Sequence, residues 1–394
     1  MDYHGAMTEK TEKNIRTIKI ILTVLLIFTS LAICKISGAV TIRILMSFFI
    51  FLLVLPLVTA LEKAKFPSWL ATILAVLVII VVVLFFVWFV FFSVDMLIQK
   101  IPSYASRIND IDGILKNMAR RWVDIPDGQS FLSFLKIDWV GNIIMPTLRS
   151  VSSSAIGVLS NVLIVILMTV FLLGERHMVI PKMMNFIPAR DEDKISIIWD
   201  RIVKQVSRYI SIKVFISIIT GGIFYVIAII VGLDFALLWG VMAVVLNFIP
   251  TIGSIIITAL MILMAVIQFA PSIGPIIFVA IGTILTQNII GNFLDPRLSG
   301  NSLNLSPFII LAALGIFGYV WGVVGMFLAV PLLSVVQIIC ANIDAARPLA
   351  MLISSGRSYR KNQRDRTERR RQARKQSSNN YGDFSDDIMF PDRK

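Results

Sequence analysis

The feature that most constrains this chain is an uncharged run: no Asp, Glu, Lys or Arg occurs between Phe235 and Leu294. Such a run belongs in the hydrocarbon core of a bilayer, where every backbone polar group must be hydrogen-bonded within the protein. Its middle nevertheless holds the stretch NFIPTIGS, residues 247–254, in which Pro250 has no backbone donor. The sequence therefore predicts a membrane-embedded segment that is broken at this point.

Composition places the rest of the chain in a membrane as well. Of its 394 residues, 57% are hydrophobic and 15% are charged, whereas soluble domains are about 45–50% apolar and about 25% charged. Crossing a bilayer as a helix takes roughly 20 apolar residues, and uncharged runs of comparable or greater length occupy 20–34, 44–61, 66–94, 150–174, 214–233 and 298–343. We predict an all-α polytopic membrane protein with about eight membrane-embedded helical segments.

The distribution of lysine and arginine predicts the topology. Both termini and the segments around 62–65 and 175–213 carry these residues, which places them in the cytoplasm and 95–149 outside. The resulting division is a cytoplasmic tail (1–19), three transmembrane helices (20–94), an extracytoplasmic helical segment (95–149), a transmembrane helix (150–174), a cytoplasmic amphipathic helical loop (175–213), a core with broken helices (214–343) and a basic, disordered cytoplasmic tail (344–394). We expect the amphipathic loop to lie along the membrane and to lead into the next span.

Two features outside the core leave alternatives open. Apolar residues between Leu97 and Trp122 recur at steps of four and three, which is typical of an amphipathic helix. That helix packs on its own domain or lies on the membrane, or it contacts neighbouring subunits. The basic cluster at 357–375 is expected to bind anionic lipid. Nucleic acid is the alternative partner, but the cluster lacks the interleaved aromatic residues that would favour it.

The broken apolar segments allow two topologies. Because 175–213 and the C-terminus are both predicted inside, the number of crossings between them is even. Either four full spans fill 214–343, or two full spans accompany two re-entrant hairpins at 235–269 and 307–343. We favour the hairpins, one entering from each side, because opposed broken elements form the binding site in many secondary transporters. The tripeptide Trp-Gly-Val precedes a proline in both regions, at Pro250 and Pro331.

Polar residues in these segments are the candidate site. We expect Asn247, Pro250 and Gly253 to form one half of it, because freed backbone groups are tolerated only where they line a cavity or are buried in protein. Trp321, Gly322 and Pro331 would form the other half. The path between the halves would be lined by Gln287, Asn288 and Asn292. The alternative is a packing kink at Pro250 and amides that bridge helices, each for about 1 kcal/mol or less.

The chemistry that is missing is also informative. No carboxylate lies in mid-span as an obvious proton or sodium ligand, and Asp295 and Arg297 lie near a helix end, where a local ion pair is expected. Cys34 and Cys340 are far apart in sequence and form no disulfide framework or metal cluster. No Walker loop, HExxH or nucleophile elbow occurs. We therefore expect no enzyme activity, no metal and no cofactor.

Three stretches carry a resemblance to a known family. NFIPTIGS, DPRLSGNSLNLSP (295–307) and GVVGMFLAVPL (322–332) resemble, in order and spacing, motifs of the autoinducer-2 exporter family. The second resembles that family's linker, with Asp295, Pro296, Arg297, Gly300 and Pro307. The chain departs from the family pattern after Tyr209, where ISIK stands in place of an Arg-Gly-Gln run.

The resemblance implies a function as well as a fold. It implies eight membrane-embedded segments in a bacterial inner membrane, a homo-oligomer, and export of autoinducer-2 or a related small polar solute by alternating access. Some members are instead associated with sodium/proton antiport, so a cation/proton antiporter is the alternative. A non-transporting membrane scaffold, which would explain the apolar stripe and the basic tail, is a hypothesis of another class.

Overall fold

The computed structural model describes residues 29–119, 155–185, 192–299, 305–343 and 346–355, together with helical positions at 15, 17, 18, 21, 22, 25 and 26. The basic cluster at 357–375, the outer segment beyond Ala119 and the linker residue Gly300 lie outside the described residues. The helices in chain order are α1 (Gly38–Lys63), α2 (Ser68–Ala119), α3 (Ala155–Glu175), α4 (Val179–Met184), α5 (Glu192–Val231), α6 (Ala236–Leu246), α7 (Ile252–Phe269), α8 (Ile273–Ile289), α9 (Asp295–Ser299), α10 (Pro307–Asn342) and α11 (Arg347–Ile353).

The prediction of an all-α polytopic membrane protein is confirmed. Among the described residues no strand forms, and the only sheet-like pairing there is an isolated antiparallel bridge between Leu305 and Ser354. Six helices of the described chain are long and apolar enough to cross a membrane. They are Gly38–Lys63, Ser68–Lys100, Glu192–Val231, Ile252–Phe269, Ile273–Leu298 and Pro307–Asn342. Two of them, Ile252–Phe269 and Pro307–Asn342, belong to the segments that the sequence predicts as hairpins.

Two helices are far longer than a bilayer is thick. α2 has 52 residues and α5 has 40, which at 1.5 Å per residue correspond to about 78 Å and about 60 Å, against roughly 30 Å of hydrocarbon. Beyond its apolar part α2 continues as the helix predicted from residue 95 onward. The sequence interpretation ended the amphipathic loop at Lys213, but α5 has no break there.

The described core is built around α1 and α5. Buried side chains of both helices form one apolar cluster with the second half of α10, and the Ser207 hydroxyl donates to the carbonyl of Leu52 at 2.7 Å. The part of α5 that precedes Lys213 therefore packs inside the bundle through residues such as Ile202 and Val206, instead of lying apart along the membrane surface. At one end of the bundle Arg176 pairs with Glu62 and joins α3 to α1.

Candidate solute site

Residues 236–269 form a helical hairpin, called here the first hairpin, from α6 and α7. Both of its ends lie beside the end of α5. The backbone N–H of Asp234 donates to the Gln268 Oε1 at 2.8 Å, and the Gln268 Nε2 donates to the Gly232 carbonyl at 2.8 Å. Buried residues of both arms share an apolar cluster with α5. The chain thus returns to the end from which it started, as the hairpin prediction requires.

The turn of this hairpin falls within NFIPTIGS. Thr251 has a φ of +63°, which a β-branched residue adopts only under strain. The N–H of Ile252 donates to the Pro250 carbonyl at 2.6 Å. At Gly253 an added Cβ would lie 1.7 Å from the carbonyl oxygen of Leu246, so the two arms approach more closely here than any other residue allows.

Asn247 ties the turn to the middle of α5. It is only 4% exposed, and its Nδ2 donates to Ser217 Oγ at 3.1 Å and lies 3.5 Å from Thr220 Oγ1. The sequence left open that the break at Pro250 is a packing kink whose polar groups are hydrogen-bonded by a neighbouring helix. The bonds of Asn247 to α5 agree with that alternative for this side chain. The amide keeps the turn at a fixed depth along α5.

A cavity of about 360 Å³ opens beside the turn. Five of the predicted path residues line it: Asn247, Pro250, Gln287, Asn288 and Asn292. The sequence interpretation missed the other members of the lining, which are Lys213, Thr251, Ser254, Ile255, Ile290, Gly291 and Asp295. Gly253 does not line the cavity but permits the turn that forms its wall. This space is called the polar cavity below.

A π-helical turn shapes one wall of the polar cavity. Residues Ile290–Leu294 follow α8 directly and lead into α9. The wider turn is of a kind frequent at functional sites, and it brings the Asn292 Nδ2 to 3.4 Å from the Asn288 Oδ1. The predicted linker residues Asp295, Pro296 and Arg297 form α9, and Pro307 begins α10.

The polar cavity contains a pair of opposite charges. Lys213 Nζ of α5 lies 3.4 Å from Asp295 Oδ2 of α9, and the exposed fractions of these side chains are 9% and 32%. Sequence reasoning expected a local pair between Asp295 and Arg297 and placed Lys213 in a loop. The sequence did contain an indication that Lys213 is buried. Ile202, Val206 and Tyr209 recur at helical spacing, and the next position on that apolar face is Lys213.

One polar atom of the cavity wall lacks a partner. The Gln287 Nε2 is buried and has no hydrogen bond within the described protein. Thr258 Oγ1 and Ser334 Oγ are in the same condition but do not line the polar cavity. A buried amide without a partner costs about 1–3 kcal/mol, so a rotation of the Gln287 side chain that brings this nitrogen to the cavity is favoured when an acceptor is there. In the described residues no group of three or more His, Cys, Asp or Glu side chains could hold a metal ion.

Residues 307–342 form a second hairpin within α10. The helix is interrupted at Gly322, with φ +65° and ψ −144°, and an added Cβ at Gly325 would lie 1.9 Å from the Phe317 carbonyl oxygen. The sequence placed breaks at both GIFGYVWG and Pro331. Only the first is correct, because the left-handed backbone of the turn suits glycine and is closed to proline, whose φ is fixed near −65°. Pro331 lies inside the second arm.

No described residue of the second hairpin lines the polar cavity. At its turn the Trp321 Nε1 donates to the Cys34 carbonyl at 3.1 Å, and the Lys35 Nζ lies 3.4 Å above the Tyr319 ring. Pro331 lines a separate apolar cavity of about 150 Å³ between α1, α5 and α10. The structure therefore does not bring Trp321, Gly322 or Pro331 to the wall of the polar cavity. The hairpins contact each other at Phe248 and Phe327, whose ring centroids are 4.6 Å apart, and through an apolar cluster that joins Ile249 to both arms of the second hairpin.

The base of the first hairpin is held by the extension of α2. Asp234 accepts hydrogen bonds of 2.5 Å from both Lys100 Nζ and Tyr104 Oη, and Arg107 donates to the Gln268 carbonyl. These five residues are called the base latch. Burial alone would raise the pKa of the Asp234 carboxyl, but the bonds from Lys100 and Tyr104 outweigh it and hold the pKa below its ordinary value. Burial and the bond to Asp234 raise the pKa of Tyr104.

A many-helix bundle with two broken hairpins in contact and a polar cavity at one of the breaks is an arrangement found in many secondary transporters. Comparison with known proteins agrees. The model of the AI-2E family transporters matches residues 20–345. The chain belongs to this family, so the resemblance noted in the sequence is confirmed.

Individual relatives extend over most of the chain. A protein of Borreliella burgdorferi is 30% identical over 319 residues, which cover 81% of this chain and 86% of the relative. One of Haemophilus influenzae is 27% identical over 333 residues, covering 83% and 93%. Both are named as candidate transport proteins without a stated substrate. The AI-2 transport protein TqsA of Escherichia coli (strain K12) is 26% identical over 321 residues, covering 81% and 91%.

Proposed function

We propose that this transporter exports a small polar solute, an autoinducer-2-like signal or a related metabolite, across the bacterial inner membrane by alternating access. The observation that carries the proposal is the polar cavity at the turn of the first hairpin, with the unpartnered amide nitrogen of Gln287 in its wall. Its volume of about 360 Å³ falls within the range of about 300–1,000 Å³ typical of small-molecule sites. Similarity to a relative named for AI-2 transport supports the choice of solute.

The proposed sidedness follows from the predicted topology. With both termini cytoplasmic, Lys213 and Asp295 are near the cytoplasmic side and the base latch is near the outer side. The polar cavity then accepts solute from the cytoplasm while the base latch holds the far end of the first hairpin. Export requires the reverse arrangement, in which the latch releases and the cavity opens outward.

The assembly and surroundings are part of the same proposal. The protein acts as a homo-oligomer, as the family resemblance implies. Its C-terminal basic cluster at 357–375 contacts anionic lipid of the cytoplasmic leaflet, where each positive charge adds about 1 kcal/mol.

The test is transport of labelled autoinducer-2 into inside-out proteoliposomes. Gln287→Leu removes the donor while keeping a similar volume, and we expect it to lower the initial rate about tenfold, because a solute oxygen would lose its buried partner. Thr258→Val and Ser334→Ala are matched controls, since each removes a buried polar atom that also lacks a partner but lies outside the cavity wall. Their rates should stay within about twofold of the wild type.

Two outcomes would overturn this proposal. One is a Gln287→Leu protein that elutes as the wild-type oligomer and transports at the control rate. The other is a wild-type protein that moves no labelled autoinducer-2. Either result removes the polar cavity as the site of this solute.

The pair of Lys213 and Asp295 favours a second candidate, a sodium- or proton-coupled antiporter. Titratable residues at membrane depth typically mark ion pathways, and these two line the polar cavity directly. A pH-sensitive dye inside the same proteoliposomes separates the candidates. A sodium-dependent pH change without movement of organic solute would select the antiporter, whereas solute movement without a pH response to sodium would exclude it.

A further inference from the structure

The charge of the polar cavity is set by two residues. Among the described residues that line it, only Lys213 and Asp295 are charged. They come from different elements, α5 and α9, and meet at 3.4 Å. The rest of the polar lining consists of amides and hydroxyls, which carry no net charge. Together the two charges sum to zero while the pair is intact.

A net charge in such a place is costly. The Lys213 side chain is only 9% exposed, and an ion that is removed from water without a counter-charge loses solvation energy that nothing repays. A solute that brings its own charge would leave one charge of the cavity uncompensated. A neutral solute would not, and it would still find the Gln287 donor.

We propose that the Lys213–Asp295 pair acts as a charge filter that keeps the polar cavity neutral and restricts it to uncharged, oxygen-bearing solutes. This inference rests on the proposed function, in which the polar cavity is the solute site. It adds that the class of solute is set by the charge pair and that a hydroxyl or carbonyl oxygen is the group which the Gln287 amide recognises.

The geometry of the pair supports a filter rather than a purely structural bridge. Strong ammonium–carboxylate hydrogen bonds are about 2.7–2.9 Å long, whereas this one is 3.4 Å. An ammonium group carries three donors, and among the described contacts of the Lys213 nitrogen only the one to Asp295 uses a donor. Lys213 and Asp295 both line the cavity, so the pair balances charge and also borders the space that a solute would occupy.

The test measures the electrostatic potential of the cavity with thiol reagents of three charges. A single cysteine replaces Ser254 of the cavity wall, in a background with Cys34→Ser and Cys340→Ala. The reagents are methanethiosulfonates with trimethylammonium-ethyl, sulfonato-ethyl and hydroxyethyl groups. Each rate is divided by the rate of the same reagent with free cysteine, so that intrinsic reactivity cancels.

The filter makes a distinct prediction for each variant. With the pair intact, the neutral reagent reacts relatively faster than both charged ones. Asp295→Asn leaves a positive cavity and raises the anion-to-cation rate ratio, and Lys213→Gln lowers it, each by about tenfold for one unit charge in the lining of the same cavity. The double variant Lys213→Gln/Asp295→Asn is neutral again and restores the wild-type order. A cysteine at Tyr319, at the turn of the second hairpin, is the reference whose ratio stays constant.

Specific results would overturn the filter. One is an anion-to-cation rate ratio at Ser254→Cys that is unchanged in both single variants. The other is a double variant that folds as the wild-type oligomer but does not return to the wild-type rate ratio. Transport of labelled autoinducer-2, measured in parallel, separates this inference from the proposed function. Rate ratios as predicted, with no transport by the wild type, would refute the proposed solute and leave the charge filter standing.

Discussion

The close approach of the two arms at the turn of the first hairpin gives a sharp prediction for Gly253→Ala. The added methyl group would lie 1.7 Å from the Leu246 carbonyl oxygen and 3.3 Å from the Ile249 Cβ. The oxygen must move by more than about 1 Å to reach an ordinary contact, and it belongs to the backbone, so no rotamer change relieves the clash. Overpacking costs typically 1–3 kcal/mol, and we expect about 3 kcal/mol here because the neighbour is fixed.

Gly222→Ala is the matched control for this substitution. It makes the same change within α5 where nothing lies within 4 Å of the added Cβ, and alanine is the better helix former by about 1 kcal/mol. Thermal unfolding in detergent should therefore show a Tm lowered by several degrees for Gly253→Ala and unchanged or raised for Gly222→Ala. If both proteins unfold at the wild-type temperature, the turn tolerates separation of its arms and the reasoning from close approach is wrong.

Two further predictions concern the base latch and the topology. The pKa of Asp234 is lowered in the fold, so this carboxyl stabilises the fold above its ordinary pKa of 3.8 and loses that effect as pH falls through its folded pKa. The pKa of Tyr104 is raised above 10.0, so its contribution to stability is lost only as pH rises through its folded pKa. The stability difference between wild type and Asp234→Asn should thus be present from about pH 4 to pH 10 and shrink as pH falls below 3.8, with a size of about 1 kcal/mol or less because Lys100 is 42% exposed. Thermal unfolding measures it, and a difference that does not shrink below pH 3.8 contradicts this assignment. For the topology, cysteines at Arg297 and Tyr319 should react with impermeant reagent from opposite sides of the membrane, Arg297→Cys from the cytoplasm, and labelling of both from the same side would refute opposed hairpins.

The hairpins and part of the polar cavity were predictable from the sequence for one physical reason. In a long uncharged run, proline and glycine mark where the helix breaks, and polar side chains at membrane depth must face the protein interior or a cavity. These constraints alone group Asn247 with Gln287, Asn288 and Asn292, and all four side chains line one cavity in the structure. Their role in binding solute stays a prediction.

The rest of the site was hidden because it depends on contacts between distant segments. Lys213, Ser217 and Thr220 lie on α5, and nothing local indicates that the turn at Asn247 packs against them. Their periodicity shows which face of the helix is buried but not which partner covers it. The position of the second turn was also ambiguous, because proline and glycine both break helices. Only the backbone shows that Gly322 turns the chain and that Pro331 does not.

The two hairpins are held at different ends and meet in between, and this arrangement constrains how the cavity can open. The first is fixed at its base by Lys100 and Tyr104 of the base latch. The second is fixed by the bond from the Ser306 N–H to the Ile353 carbonyl at 2.9 Å. Since stacked aromatic pairs contribute about 0.5–1.5 kcal/mol beyond burial, the contact of Phe248 with Phe327 resists sliding of one turn past the other. If the cavity opens toward the latch, as the proposed function requires, we expect the latch and this aromatic contact to change together, with the first hairpin moving as a unit.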